Sequence, residues 1–180
     1  KSITVLRRYW RQRQGLIASC AQQIHLVHKA LDQMNVQVHK VLSDITGHSG
    51  MRIVRAIVAG ERDREKLASL CHSGIKCTQA QVARALEGNY RAEHVFALGQ
   101  ALEAHDFFQH QLEAADRALE AQIATVPSRH TEPREDRPQA QTRAKRRKNQ
   151  PHFDLREQLR RISGVDLTRV EGIDAMTAFS

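Results

Sequence analysis

Between positions 6 and 45, apolar side chains recur at alternating steps of four and three: Leu6, Trp10, Arg13, Ile17, Cys20, Ile24, Val27, Leu31, Met34, Val38, Val41 and Ile45. Only Arg13 in this series is polar. A sustained spacing near 3.5 predicts one long helix over 6–45 with a narrow apolar seam, with Gly15 as a weak point. Gly47 and Gly50 then predict a turn. Met51, Ile53, Val54, Ala56, Ile57 and Val58 predict a short helix over 51–59, stopped by Gly60. A second short helix opens at Arg62-Asp63-Arg64-Glu65-Lys66 and runs to about Leu70, where Ser73-Gly74 breaks it. Thr78 is the expected N-cap of a third, over 79–87, closed by Gly88-Asn89. From about 91 to 123 the chain reads as another long helix. Leu98, His105, Leu112, Leu119 and Val126 repeat every seven residues, with Leu102, Phe108, Ala115 and Ile123 on the same face. Gln109 and Asp116 dilute that stripe, so a hairpin against 6–45 and a self-associating coiled coil are both open.

The pattern then changes. All four prolines, Pro127, Pro133, Pro138 and Pro151, lie in 127–152, a polar stretch with too little apolar area to offset its ordering entropy. It is expected to be a flexible linker. Folding signals return at Phe153, Leu155, Leu159, Ile162, Val165 and Leu167. The predicted class is all-α: an elongated helical hairpin or coiled-coil body, a disordered basic linker and the truncated start of a C-terminal domain.

Charge sharpens this picture. The formal net charge is +8. Residues 1–14 hold Lys1, Arg7, Arg8, Arg11 and Arg13 with no acid. Residues 127–152 hold eight cations, among them Arg143, Lys145, Arg146, Arg147 and Lys148, against Glu132, Glu135 and Asp136. The remainder is slightly acidic. Two basic clusters on a near-neutral body point to a polyanion partner, because each phosphate neutralised releases counterions. The 180 residues support about one domain or pieces of two. Aromatic content of 4% with sparse Gly and Pro disfavours an all-β sandwich. Three cysteines, Cys20, Cys71 and Cys77, are too few for a disulfide scaffold and argue for a reducing compartment. No apolar run approaches the ~20 residues of a membrane span, and residues 1–20 lack a secretory signal. The expected localisation is cytoplasmic, with no membrane partner. The first residue is Lys, which suggests a fragment.

Candidate chemistry is sparse. Asp44, between Ser43 and a Gly-rich turn, reads as a turn or cap residue, and Asp63 as a helix-start residue. Cys71-His72 and Cys77 resemble half a zinc site, but no paired ligand motif follows. His25 and His28, and less well His105 and His110, share helix faces. No Gly-x-Ser-x-Gly elbow or phosphate-cradling loop is present. No catalytic residue and no metal ligand is therefore assigned. Residues 62–87 read helix, break, helix. The second helix, Thr78-Gln79-Ala80-Gln81-Val82-Ala83-Arg84-Ala85-Leu86, looks like a helix-turn-helix recognition helix, although the break is longer than usual. Residues 168–178 look like a hairpin that offers backbone N–H groups to DNA phosphates, but Asp174 stands where such turns have a second Gly.

Several stretches together carry a resemblance. They are Arg8-Tyr9-Trp10-Arg11-Gln12-Arg13-Gln14-Gly15-Leu16-Ile17, Lys29-Ala30-Leu31-Asp32-Gln33-Met34-Asn35-Val36-Gln37-Val38-His39, the run from Ser43 through Gly47-His48-Ser49-Gly50 to Asp63, and Gly88-Asn89-Tyr90-Arg91-Ala92-Glu93-His94-Val95-Phe96-Ala97-Leu98 with Gln100-Ala101-Leu102-Glu103 behind it. In order and spacing the series resembles the IS one-ten insertion-sequence transposases, in particular their IS eleven-eleven branch, over nearly the whole chain. The resemblance implies a DNA transposase that acts in transposition of a transposable element. Such a protein has an N-terminal RuvC-like domain with four acidic Mg²⁺ ligands, a helical coiled-coil region and a C-terminal domain with a nucleophilic serine. It implies DNA recombination guided by a structured RNA, and oligomerisation that joins acids and serine from different subunits. Laid onto this chain, 1–60 would be the last helices of the RuvC-like domain and 61–126 the helical connector. Residues 127–152 would be the linker and 153–180 the start of the C-terminal domain. The acidic site would lie upstream and the serine downstream, so the segment is expected to hold no cofactor itself. Its expected work is to bind DNA or a guide RNA and to support a homo-oligomer. The nucleic-acid-binding candidates are Arg7, Arg8, Arg11, Arg13, Arg143, Lys145, Arg146, Arg147 and Lys148. The alternative is a non-enzymatic helix-turn-helix DNA-binding regulator.

Overall fold

The computed structural model describes residues 2–72, 74, 76–129, 149–169 and 175–179, with Ser2 and Phe179 given by their backbone alone. The second basic cluster, Arg143, Lys145, Arg146, Arg147 and Lys148, lies outside the described residues, as does most of the expected linker. So do residues 170–174, the centre of the expected hairpin. The described residues form α1 (Ser2–Gln33), α2 (Val38–Val41), α3 (His48–Val58), α4 (Arg64–Ser69), α5 (Gln79–Ala85), α6 (Ala92–Ala124), α7 (Leu155–Ser163), a 3₁₀ turn (Leu167–Arg169) and α8 (Ala175–Phe179). They contain no strand, and the class is all-α.

The contacts divide the chain into two compact units, one of Lys1–Ile17 with His110–Ser180, the other Ala18–Gln109. These units interleave along the sequence.

In the 18–109 unit the core comprises Val27, Leu31 and Met34 of α1, Val36, Val38 and Ile45, then Ile53, Val54 and Ile57 of α3, Leu67 of α4, Val82 and Leu86 around α5, and Leu98 and Leu102 of α6. One expectation is corrected here. The helix predicted over 6–45 stops at Gln33 and resumes only for Val38–Val41. Asn35 takes a left-handed conformation, φ 56°, which Asn tolerates better than most residues. The N–H of Asn35 donates to the Asp32 carbonyl and that of Val36 to the Leu31 carbonyl, both at 2.9 Å. That is the Schellman closure of a helix end, with buried Val36 against buried Leu31 as its apolar contact. The freed Met34 carbonyl accepts from the Asn89 N–H at 2.7 Å. A Cβ on Gly88 would lie 2.5 Å from that carbonyl oxygen, so the close approach requires glycine. The seam itself survives the break: none of its twelve positions is exposed.

The short helices start and stop where local chemistry directs. Asp63 caps α4 by accepting from the N–H groups of Glu65 (2.9 Å) and Lys66 (3.3 Å). Thr78 and Gln81 form a reciprocal capping box on α5. At the end of α3, Gly60 at φ 100° closes a second Schellman motif through Gly60 N–H to Ile57 and Glu61 N–H to Ala56. Asp44 accepts from the N–H (2.9 Å) and hydroxyl (2.6 Å) of Thr46, the turn role its position suggested.

In the other unit, Leu6 and Trp10 of α1 pack with Leu119 and Ile123 of α6 and with Leu155 and Leu159 of α7. Phe153, Leu155, Leu159 and Ile162, with Ala175, Met176 and Ala178, thus share a core with α1 and α6. Asp154 caps α7, and Gly164, φ 80°, ends it. Arg161 donates to the carbonyls of Val126 (2.7 Å) and Ile123 (2.6 Å), placing a cation at the C-terminal end of α6, where the helix dipole favours it.

Candidate nucleic-acid interface

Arg7, Arg8 and Arg11 are exposed on the first half of α1. Arg11 lies one helical turn from each of the other two, so the three guanidinium groups share a face. None of them pairs with a carboxylate among the described residues. The buried stripe of Leu6, Trp10 and Arg13 leaves that face free of core packing.

Arg13 is the correction in this set. It is 1% exposed, its Nε donates to Asp116 Oδ1 at 2.5 Å, and its Cζ lies 5.4 Å from the Trp10 ring centroid. A guanidinium held this way cannot reach a phosphate from solvent. Its place in the apolar seam overrode its charge, and Asp116, 5% exposed, supplies the compensation a buried cation needs. His152 continues the cluster, with Nδ1 3.5 Å from Asp116 and Nε2 3.1 Å from Glu120.

In the 18–109 unit, α4 and α5 pack together, as the helix-turn-helix alternative requires. Gln79, Gln81 and Arg84 are exposed. Two features differ from a protruding recognition helix. The Gln81 side chain is engaged in accepting from the Thr78 N–H at 2.8 Å. α5 is also flanked by α2, with Gln37 N–H donating to the Ala85 carbonyl at 2.8 Å.

Beside α2 and α5 lies a cleft of about 680 Å³ whose polar lining includes Asn35, Gln37, Lys40, Lys76, Gln81 and Arg84. Lys76 and Arg84 come from the stretch that leads into and forms α5, whereas Lys40 comes from α2, and no linear motif joins the three. The packing of α2 on α5 brings Lys40 to the other two, so nothing in the sequence marks them as a group.

The metal-like residues resolve into ordinary roles. The Cys71 thiol is pushed up by burial and then by its neighbour Cys77, and both are free. His72 Nδ1 accepts from Gly74 N–H at 3.1 Å. His28 stacks on His39, centroids 5.2 Å apart. Burial, then the nearby His39 and His25, hold His28 below the usual histidine range. His105 is buried beside Asp106. Among the described residues no three His, Cys, Asp or Glu side chains converge to hold a metal ion. No helix among them is long and apolar enough to cross a membrane.

No protein-family model, curated protein or solved structure matches this chain.

Proposed function

We propose that this chain is the central segment of a DNA transposase of the IS one-ten type and that it binds nucleic-acid phosphates through Arg7, Arg8 and Arg11. One observation carries the binding assignment: three exposed arginines on one helix face, with no carboxylate partner among the described residues. Arginines so placed act as phosphate contacts that position a nucleic acid without reading its sequence. The wider identity is supported by the ordered motifs of the sequence and by an all-helical body that suits a connector. The DNA or guide-RNA partner, and a Mg²⁺-dependent serine chemistry carried by other parts of an intact protein, belong to the same proposal. So does a cytoplasmic location.

The test is binding of the full chain to labelled duplex DNA and single-stranded RNA across a salt series. Each phosphate left without its arginine lowers the slope of log affinity against log salt by about 0.7–0.9. The triple variant Arg7→Glu/Arg8→Glu/Arg11→Glu is expected to lose about two to three units of slope and to bind at least tenfold more weakly. An unchanged slope refutes the assignment. Charge reversal at 145–148 tests the second cluster in the same way. A sequence-dependent footprint that collapses on substituting Gln79 and Arg84 would favour the helix-turn-helix regulator instead.

Self-association is proposed through the outward face of α6. Phe96 and Phe107 are 69% and 56% exposed, three turns apart on one helix face. Sedimentation of Phe96→Glu/Phe107→Glu is expected to show a smaller species than the parent. Equal mass removes those residues from the interface.

A further inference from the structure

The cleft beside α2 and α5 is not used by the α1 arginines, and its charge is unusual. It runs on into a second cleft of about 510 Å³, and Lys40, Val41, Lys76 and Cys77 line both. Lys76 and Arg84 are exposed and make no ion pair among the described residues. Among the described residues Lys40 pairs only with Asp32, 3.8 Å away, with both side chains more than half exposed. Such an exposed pair contributes little and exchanges readily.

The carboxylates that line the clefts are already engaged. Glu87 pairs with Arg64. Asp44 is held by the N–H and hydroxyl of Thr46. The space therefore presents three cations whose counter-charges are weak or committed elsewhere.

The lining restricts what fits. Neither cleft is lined by a Phe, Tyr or Trp, so there is no stacking platform of the kind that single-strand binders use to hold bases. All three cations line the first cleft, and Lys40 and Lys76 line the second as well, so positive charge continues through the joined space, which suits a repeating anion better than a lone phosphate. A concave space of this size also excludes a duplex, whose two-stranded backbone is convex and wide, while a single strand can enter.

We propose that the joined clefts beside α2 and α5 bind the sugar–phosphate backbone of a single nucleic-acid strand, held by Lys40, Lys76 and Arg84 without base readout. This site rests on its own residues and needs neither the α1 arginines nor the transposase assignment.

The test uses the full chain and fluorescein-labelled dT₁₂, dA₁₂ and rU₁₂, read by anisotropy over a salt series. It is run on the parent, on Lys76→Glu/Arg84→Glu, on the milder Lys76→Gln/Arg84→Gln, on the α1 triple variant and on the triple variant combined with Lys76→Glu/Arg84→Glu. Circular dichroism checks that each is folded. The triple variant is expected to retain single-strand binding that the added cleft substitutions abolish. Lys76→Glu/Arg84→Glu alone is expected to weaken dT₁₂ at least tenfold and lower the salt slope by about 1.4, the share of two single-strand phosphates, with the Gln pair in between. The three oligonucleotides should bind within about threefold of one another, DNA and RNA alike. Loss of all binding in the triple variant overturns the cleft while leaving the α1 assignment standing. Full binding in the triple variant, abolished by the cleft substitutions, does the reverse. Competition by duplex DNA as effective as by dT₁₂, or by ATP at equal molarity, overturns the single-strand assignment.

Discussion

Asp116→Asn keeps the shape of a buried side chain and removes its charge. The cost follows from what is left behind. Arg13 is 1% exposed and would lose the carboxylate that accepts from it at 2.5 Å, and its Nη1 has no hydrogen-bond partner among the described residues. Removing one member of a buried pair costs about 3–5 kcal/mol, whereas an exposed pair contributes about 0.2–1 kcal/mol. Burial places Asp116→Asn in the first class. Trp10 supplies the assay. It is the single tryptophan of the chain, it is 2% exposed, and it lies against Arg13, so its emission follows unfolding of its own unit. With a urea m value of about 1–3 kcal/mol per molar, the midpoint should fall by about 1 M or more. The double variant Arg13→Met/Asp116→Leu replaces the pair with apolar groups of similar length. It is expected within about 1 kcal/mol of the parent, because a well-packed apolar substitute for a buried ion pair is often neutral. A midpoint shift under about 0.3 M for Asp116→Asn would mean that water reaches the pair, and the burial argument would fail.

Other perturbations separate local causes. A Cβ at Gly50 would sit 2.2 Å from the Ile45 carbonyl oxygen, while one at Gly15 meets nothing within 4 Å. Gly50→Ala should therefore cost about 1–3 kcal/mol or more, and Gly15→Ala should stabilise α1 by about 0.5–1 kcal/mol, both measured by thermal melts. Arg161→Met removes two charged hydrogen bonds to the end of α6 and should lower stability by about 1.5–3 kcal/mol, read on Trp10; a parent-like midpoint would show the α6 carbonyls to be satisfied by water. Asp106 is held below the usual carboxylate range, first by its hydrogen bond from Arg55. Its contribution is fully present above the unfolded carboxylate pKa of about 3.9 and is lost as pH falls through the lower folded value. The pair is partly exposed, so with solvent screening the contribution is about 0.5–1 kcal/mol. Asp106→Asn should flatten the acid limb of the stability profile below about pH 4 by that amount, and an unchanged limb would remove the pair from the account.

What was legible in the sequence was what local chemistry decides. Thr78, Asp63 and Gly60 announce helix ends because their side chains, or the lack of one, act on backbone groups within a few residues. The twelve-position seam is legible because burial of a helix face depends only on periodicity. The break at Asn35 was not, because the Schellman closure uses backbone groups that any sequence has, and Asn marks it less loudly than Gly. Arg13 shows the other limit. Its period said buried and its charge said exposed, and only the partner decides. That partner was in view as the residue diluting the other stripe: Asp116 offends the α6 pattern as Arg13 offends that of α1, and the two offences cancel each other. The cleft cations Lys40, Lys76 and Arg84 left no such trace as a group, since α2 supplies the first and the stretch around α5 the other two.

The α6 heptad carries a further lesson about self-association. A seven-residue repeat states that a helix needs an apolar neighbour and does not say whose. Here Leu98 and Leu102 are spent on the core of one unit and Leu119 and Ile123 on that of the other. The stripe that raised the coiled-coil possibility is thus consumed within the chain and no longer argues for a second copy. Phe96 and Phe107 fall outside the heptad, and each exposes more than half of a large apolar side chain. Burying each ring would contribute roughly 1.5–3 kcal/mol, the free energy on which the proposed self-association draws. A dimer built on α6 must therefore use the face away from the heptad stripe. Substitutions in that stripe should unfold the protein, whereas, on the proposed self-association, substitutions at Phe96 and Phe107 should give a smaller species that remains folded.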